Sequence, residues 1–269
     1  MGIRFFVILV IGMLIFGCQR DVPVTQQPYS PTEFLTREGK LDGEVFRYRV
    51  FVPSNRKQGE VLPVMLYLHG AGNRGDDNES QLHGLAEVIR SNREKFSFVV
   101  VIPQCDADGF WDEKTLNKAN QALDNSMSEF NGDSKQLYLA GFSLGGYGVW
   151  NMAAMYPDKF AAVVPMAGRV IPRSSEIKKV SSVVVELSRA PDPYEAFAKR
   201  LANVSVWIFH GAEDRVVPVD SSRRMNVALK SVGNTAVRYS EVKDAGHEPL
   251  GLQTPELYTW LTEQRRSNL

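Results

Sequence analysis

The sequence predicts an α/β protein, with a mostly parallel central sheet covered by helices on both faces. Strand-like runs at 45–52, 61–68, 98–102, 136–141, 161–165, 204–209 and 236–242 alternate with helical patterns at 80–93, 115–130, 144–156, 221–232 and 255–266. That alternation is the signature of βα units. Runs such as VSVWIF at 204–209 are continuous and β-branched, as strands buried on both faces are. The third observation is Gly141-Phe142-Ser143-Leu144-Gly145, which stands between an apolar strand-like run and a helix-like run.

The chain begins with a segment that does not belong to that pattern. Arg4 precedes an apolar run at 5–16, too short to span a bilayer but long enough for the core of a signal peptide. The run ends Leu14-Ile15-Phe16-Gly17-Cys18, which resembles the lipobox of bacterial lipoproteins, where a diacylglycerol is attached to the cysteine before cleavage. The expected organisation is a signal peptide at 1–17, a lipidated Cys18 with a proline-rich tether at 18–32, and a single catalytic domain at 33–269. Gln19 in place of aspartate favours the outer membrane within the cell envelope, with plain secretion as the alternative. Once Cys18 is lipidated only Cys105 remains, so no intramolecular disulfide can form.

Composition suits one globular domain: 269 residues, 43% hydrophobic and 23% charged. Lysine and arginine balance aspartate and glutamate at 31 each, so nothing points to nucleic acid as a partner. The sequence shows no metal-ligand cluster and no phosphate-cradling loop, and no cofactor is expected.

Elbow glycines explain the 141–145 pattern. A nucleophile on a sharp strand-to-helix turn needs residues without side chains two positions away on either side, here Gly141 and Gly145. Gly146 is expected to let the helix pack close to its strand. The helix N-terminus then directs free N–H groups at developing negative charge. A glycine-rich turn with a solvated serine is the plain alternative, and the rest of the chain argues against it.

A serine nucleophile in this setting requires an acid and then a histidine downstream. Of the four histidines, His69 and His83 precede Ser143, and His210 leaves little room for an acid before it. His247, in the polar loop Asp244-Ala245-Gly246-His247-Glu248, is the candidate base. Asp214 follows the 204–209 run at the carboxyl edge of the sheet and is the candidate acid; Glu213 and Asp192 compete with it. The oxyanion would be held by the backbone amides of Leu144 and of Ala71 or Gly72, in the glycine loop that follows the 61–68 run. His69 is expected to brace that loop. Phe110 and Trp111 could line the acyl or alcohol site, and Cys105 is expected to pack near the pocket.

Leu68-His69-Gly70-Ala71-Gly72-Asn73-Arg74-Gly75-Asp76-Asp77-Asn78 is similar to the LHGAGxRGxDN signature of bacterial α/β-hydrolases labelled predicted peptidases, relatives of phospholipase/carboxylesterase and feruloyl-esterase-like enzymes. Ile102-Pro103-Gln104-Cys105, Phe209-His210-Gly211-Ala212-Glu213-Asp214 and Asp244-Ala245-Gly246-His247 extend the resemblance over about 45–261. It implies an α/β-hydrolase fold with the nucleophile elbow after the fifth strand, a Ser143–His247–Asp214 triad, and hydrolysis of a small-molecule or oligosaccharide ester. Residues 170–203 look like an insertion after the sixth strand that could form a lid, and the loop after His247 looks shortened. A peptidase with the same triad and a non-catalytic carbohydrate-binding lipoprotein are the alternatives.

Overall fold

The structure, a computed structural model, describes residues 33–266. Eight strands form one sheet in the order β1-β2-β4-β3-β5-β6-β7-β8. They are β1 Phe34–Leu41, β2 Glu44–Phe51, β3 Leu62–Leu68, β4 Val99–Pro103, β5 Gly132–Phe142, β6 Ala162–Met166, β7 Ser205–Gly211 and β8 Val237–Val242. β1 and β2 form an antiparallel hairpin and β2 runs antiparallel to β4, whereas all pairs from β4 to β8 are parallel. β1 is absent from the sequence-based pattern because charged residues break its alternation (FLTREGKL). With it, the strand that leads into Ser143 becomes the fifth.

The parallel strands from β3 to β7 have their central residues buried on both faces, whereas β8 is a partly exposed edge, and alternate side chains part to opposite sides. Val64, Leu66 and Leu68 of β3 and Val206 and Ile208 of β7 enter one core cluster. Met65 and Tyr67, with Trp207 and Phe209, enter the other. The first cluster is closed by α2 (Glu113–Glu129), α3 (Leu144–Met155), α5 (Pro193–Arg200) and α6 (Asp220–Ser231). α1 (Leu85–Ser91) and α7 (Pro255–Glu263) close the second. Each fully buried large apolar side chain contributes roughly 1.5–3 kcal/mol, and the two layers leave the carboxyl edge of the sheet free for loops.

Two expected elements differ. The 80–93 helix is divided: a 3-10 turn, Ser80–Leu82, is followed by Gly84 at φ 82°, and only then by α1. Within 170–203, the valine-rich stretch is the helix α4 (Ser182–Ser188), and Asp192 caps α5 by accepting the amides of Tyr194 and Glu195. That segment is anchored by Val184, Phe197, Ala198 and Leu201, all in the core.

Candidate active site

Ser143 stands between β5 and α3 at φ 57° and ψ −114°, a conformation that costs a residue with a side chain about 1–3 kcal/mol. The surroundings hold it there. Its amide donates to the Met166 carbonyl at the end of β6 (2.8 Å), and its carbonyl accepts from Tyr147 (3.0 Å). A β-carbon on Gly145 would lie 1.8 Å from the Leu68 carbonyl oxygen, and one on Gly141 would lie 2.6 Å from the Gly145 carbonyl. Both positions therefore exclude any side chain. Gly146 has a different neighbour from the expected one: its missing side chain admits the Met166 carbonyl and Gly168, so it packs against the end of β6 rather than its own strand.

The loops after β7 and β8 are stitched together. Ala212 and Glu213 donate backbone hydrogen bonds to Val242 and Ala245. Gly211 permits this, because a β-carbon there would stand 2.2 Å from the Gly246 carbonyl. The stitching brings His247 over Asp214. His247 Nδ1 lies 2.6 Å from Asp214 Oδ2, and His247 Nε2 lies 2.8 Å from Ser143 Oγ. Phe142 packs against the His247 ring, with centroids 4.8 Å apart.

The Asp214 side chain is fully buried. Burial alone would raise its carboxyl, but the His247 hydrogen bond and the amides of Val217 and Val216 outweigh it and hold the group below the usual carboxylate range. Both amides donate to Oδ1 at 2.8 Å. Because Nδ1 of His247 faces this carboxylate, it carries the proton, and Nε2 is left to accept from the serine. Glu213 is exposed and contributes only its backbone to this loop. Asp192 is occupied as a helix cap.

On the opposite rim, Gly70 comes against the elbow: a β-carbon on it would lie 3.6 Å from Ser143 Cβ. Ala71, Gly72 and Asn73 form a 3-10 turn. The Gly70 carbonyl accepts from Asn73 N–H (3.1 Å) and from His69 Nδ1 (2.7 Å). The Ala71 carbonyl accepts from Arg74 Nε (2.9 Å), and Arg74 Nη1 reaches on to the Gly109 carbonyl (3.0 Å). In a trans peptide C=O and N–H point in opposite directions, so these bonds turn the Ala71 and Gly72 amides away from the brace.

His69 is buried, its Nε2 accepts from Cys105 N–H (3.0 Å), and burial lowers its pKa to about 4, so it is a neutral brace. Gln104 locks the same loop by donating to Asp77 and accepting from the Asn78 amide. The two sequence motifs, 68–78 and 102–105, are thus parts of one interlocked scaffold.

Trp111 does not line the site as expected, and Cys105 packs in the core beside it. Both are wholly buried; Trp111 donates to the His69 carbonyl (3.0 Å) and stacks edge-on against the His69 ring. Burial also pushes the Cys105 thiol up to about 12, far from a thiolate. Phe110 is half-buried beside Tyr147. Arg169, just after β6, lies over the Tyr147 ring and pairs with Glu176, tying the start of the 170–203 segment to α3. Cys18 lies outside the described residues.

One further residue, which chain order does not select as a base, stands beside the candidate acid. His210 is buried with its Nε2 3.2 Å from Asp214 Oδ2. The spacing His210-Gly211-x-x-Asp214 was visible, but only folding shows that the ring turns back onto the carboxylate.

Comparison with known proteins bears on this arrangement. The model of the prolyl oligopeptidase family matches residues 107–263, more than half of the chain. An uncharacterized secreted protein of Arthroderma benhamiae is 28% identical over 260 residues, which is 91% of this chain and 27% of that protein. The bifunctional acetylxylan esterase/xylanase XynS20E of Neocallimastix patriciarum is 31% identical over 123 residues, covering 44% of this chain and 17% of its own length. Among solved structures, a thermostable esterase superimposes with a TM-score of 0.70 at 27% identity, over 87% of this chain and 64% of that one. The chain thus spans only part of the length of these proteins. With its sheet order, its elbow and the matched family model, the chain belongs to the prolyl oligopeptidase family and has the α/β-hydrolase fold.

Proposed function

We propose that the chain is a serine carboxylesterase that works through an acyl-enzyme. The observation that carries this reading is the unbroken hydrogen-bonded line from Asp214 through His247 to Ser143 Oγ. Ser143 Oγ attacks the ester carbonyl while His247 Nε2 takes its proton, and Asp214 stabilises the resulting imidazolium. The amides of Leu144 and of Ala71 or Gly72 receive the oxyanion. His247 then protonates the leaving alcohol, and water, activated by the same ring, releases the acid. The esterase names carried by two of the proteins above support an ester as substrate, and one of them, an acetylxylan esterase, supports a carbohydrate ester.

Hydrolysis of p-nitrophenyl acetate, butyrate and octanoate and of methyl ferulate tests the reading, with Ser143→Ala as control. Turnover by the parent and none by a folded variant is expected; equal turnover by both would remove Ser143 from the mechanism. A second reading, peptidase activity from the same triad, is supported by the family's name. A peptide p-nitroanilide cleaved faster than every ester would establish it over the first.

Export from the cytoplasm is part of the proposal, supported by the secreted relative and by the apolar run at 5–16. The finer reading is a lipid on Cys18 that tethers the catalytic domain, 33–269, to the cell envelope. Incorporation of labelled palmitate into the parent and its loss in Cys18→Ala would establish the anchor. In the same reading, the 170–203 segment covers the acyl site as a lid.

A further inference from the structure

We propose that His210 is a positioning residue for the catalytic acid, a second imidazole that fixes Asp214 Oδ2 in the place from which it holds His247. The inference rests on the reading of Asp214 as that acid. His210 lies near the end of β7, and its side chain is completely buried, as is that of Asp214. Its Nε2 is 2.9 Å from the Val217 carbonyl and 3.2 Å from Asp214 Oδ2. Both neighbours are acceptors, so Nε2 carries the proton; its hydrogen bond is to the Val217 carbonyl, and the same N–H edge faces Asp214 Oδ2 at the longer distance. Nδ1, bare in that tautomer, lies 2.7 Å from Ser222 Oγ, which must therefore donate to it. The tautomer is set by three partners.

The consequence for Asp214 is a carboxylate with no free direction. Oδ1 takes the two backbone amides, and Oδ2 takes one imidazole from each side. Without His210, Oδ2 would be held by His247 alone, the ring it is meant to orient. Burial disfavours the charged form of His210. A neutral ring offers a dipole to Oδ2 and leaves the carboxylate charge undiminished for the His247 imidazolium. Being fully buried, it touches no substrate. The N–H and O–H dipoles run one way from α6 toward the acid, Ser222 to His210 and on to Asp214, and meet the bond from His247 there.

The test compares His210→Phe with His210→Gln, following kcat, KM, thermal stability and the downfield proton resonance of His247 Nδ1. In the phenylalanine variant kcat is expected to fall about 10- to 100-fold, the scale on which outer partners of tuned sites act, with KM nearly unchanged. The resonance should broaden or move, because Oδ2 has lost the N–H edge that faces it at 3.2 Å. Glutamine, which can return an N–H to the same place, should recover most of the lost kcat and the resonance. A folded phenylalanine variant with parental kcat and an unmoved resonance overturns the proposal, as does a glutamine variant no better than phenylalanine. Should phenylalanine not fold, Ser222→Ala reads the same chain from its far end: a smaller loss of kcat with a moved resonance supports the proposal, and no change in either overturns it. A parent that hydrolyses no ester overturns the esterase reading alone, since the resonance needs no substrate.

Discussion

The two rims of the site are built on opposite principles. The β7–β8 rim works through side chains: Asp214 is hydrogen-bonded to His247 and lies 3.2 Å from the His210 ring. The β3–β4 rim, proposed to receive the oxyanion through backbone amides, has side chains (His69, Arg74, Gln104 and Trp111) that brace the loop from behind. A base must change its proton count during the reaction, so it needs a side chain whose pKa can be matched to the task. An oxyanion hole must not change at all, and rigid amides that need no reorganisation suit it better. One rim therefore depends on residue identity, the other on the shape of a loop.

Substitutions can separate the two. The largest effect is expected on the acid–base rim, where Asp214→Asn should lower kcat by about 10⁴-fold through the wrong His247 tautomer, with thermal stability little changed. Steady-state kinetics on a p-nitrophenyl ester would read it; near-parental activity would move the acid elsewhere. Between the rims, Gly145→Ala pushes a β-carbon to 1.8 Å from the Leu68 carbonyl oxygen, so the elbow must shift. Overpacking of that kind costs about 1–3 kcal/mol or more, and both a lower melting temperature and lost activity are expected.

On the backbone rim, Arg74→Ala removes the shorter of the two hydrogen bonds that set the Ala71–Gly72 peptide and leaves the Arg74 backbone N–H at 3.4 Å. It should lower kcat by about 10-fold, below the effect of deleting an oxyanion donor outright, while KM stays constant. A change in KM alone would mean that Arg74 binds substrate instead. Lysine should not restore the rate, because it lacks the fork that spans Ala71 and Gly109.

The last effect concerns acid stability rather than turnover. The folded pKa of His69 is depressed to about 4 from 6.5. Below pH 6.5 the unfolded chain takes up a proton that the folded one refuses until about pH 4, so stability is lost as pH falls through that window. The loss is on the order of 3 kcal/mol at its acid end. His210, shifted in the same direction, adds to it. Urea unfolding between pH 7 and 4 should show this slope, and His69→Gln should flatten it.

Much of this was legible without coordinates. The alternation of buried runs and helical patterns located seven of the eight strands, and glycine spacing marked the elbow, because a sharp turn tolerates little else. Asp214 and His247 could be selected by chain order. What escaped was whatever depends on packing direction. Trp111 is near the site in sequence, but its side chain turns into the core. His210 was rejected by order as a base, and order says nothing about a residue that serves the acid from behind.

The sequence by itself determined seven strands of the sheet, the place of the elbow and the identity of the residues proposed as nucleophile, base and acid. These follow from local rules: the period of burial, the steric demand of a strained turn, and the chemistry of each side chain. Tertiary structure alone decided that the loops after β7 and β8 are stitched at Gly211, that the 68–78 and 102–105 motifs interlock, and that Asp214 lies between two imidazoles. Those facts are distances between residues far apart in the chain. They exist only once the two core layers have fixed the strand ends side by side.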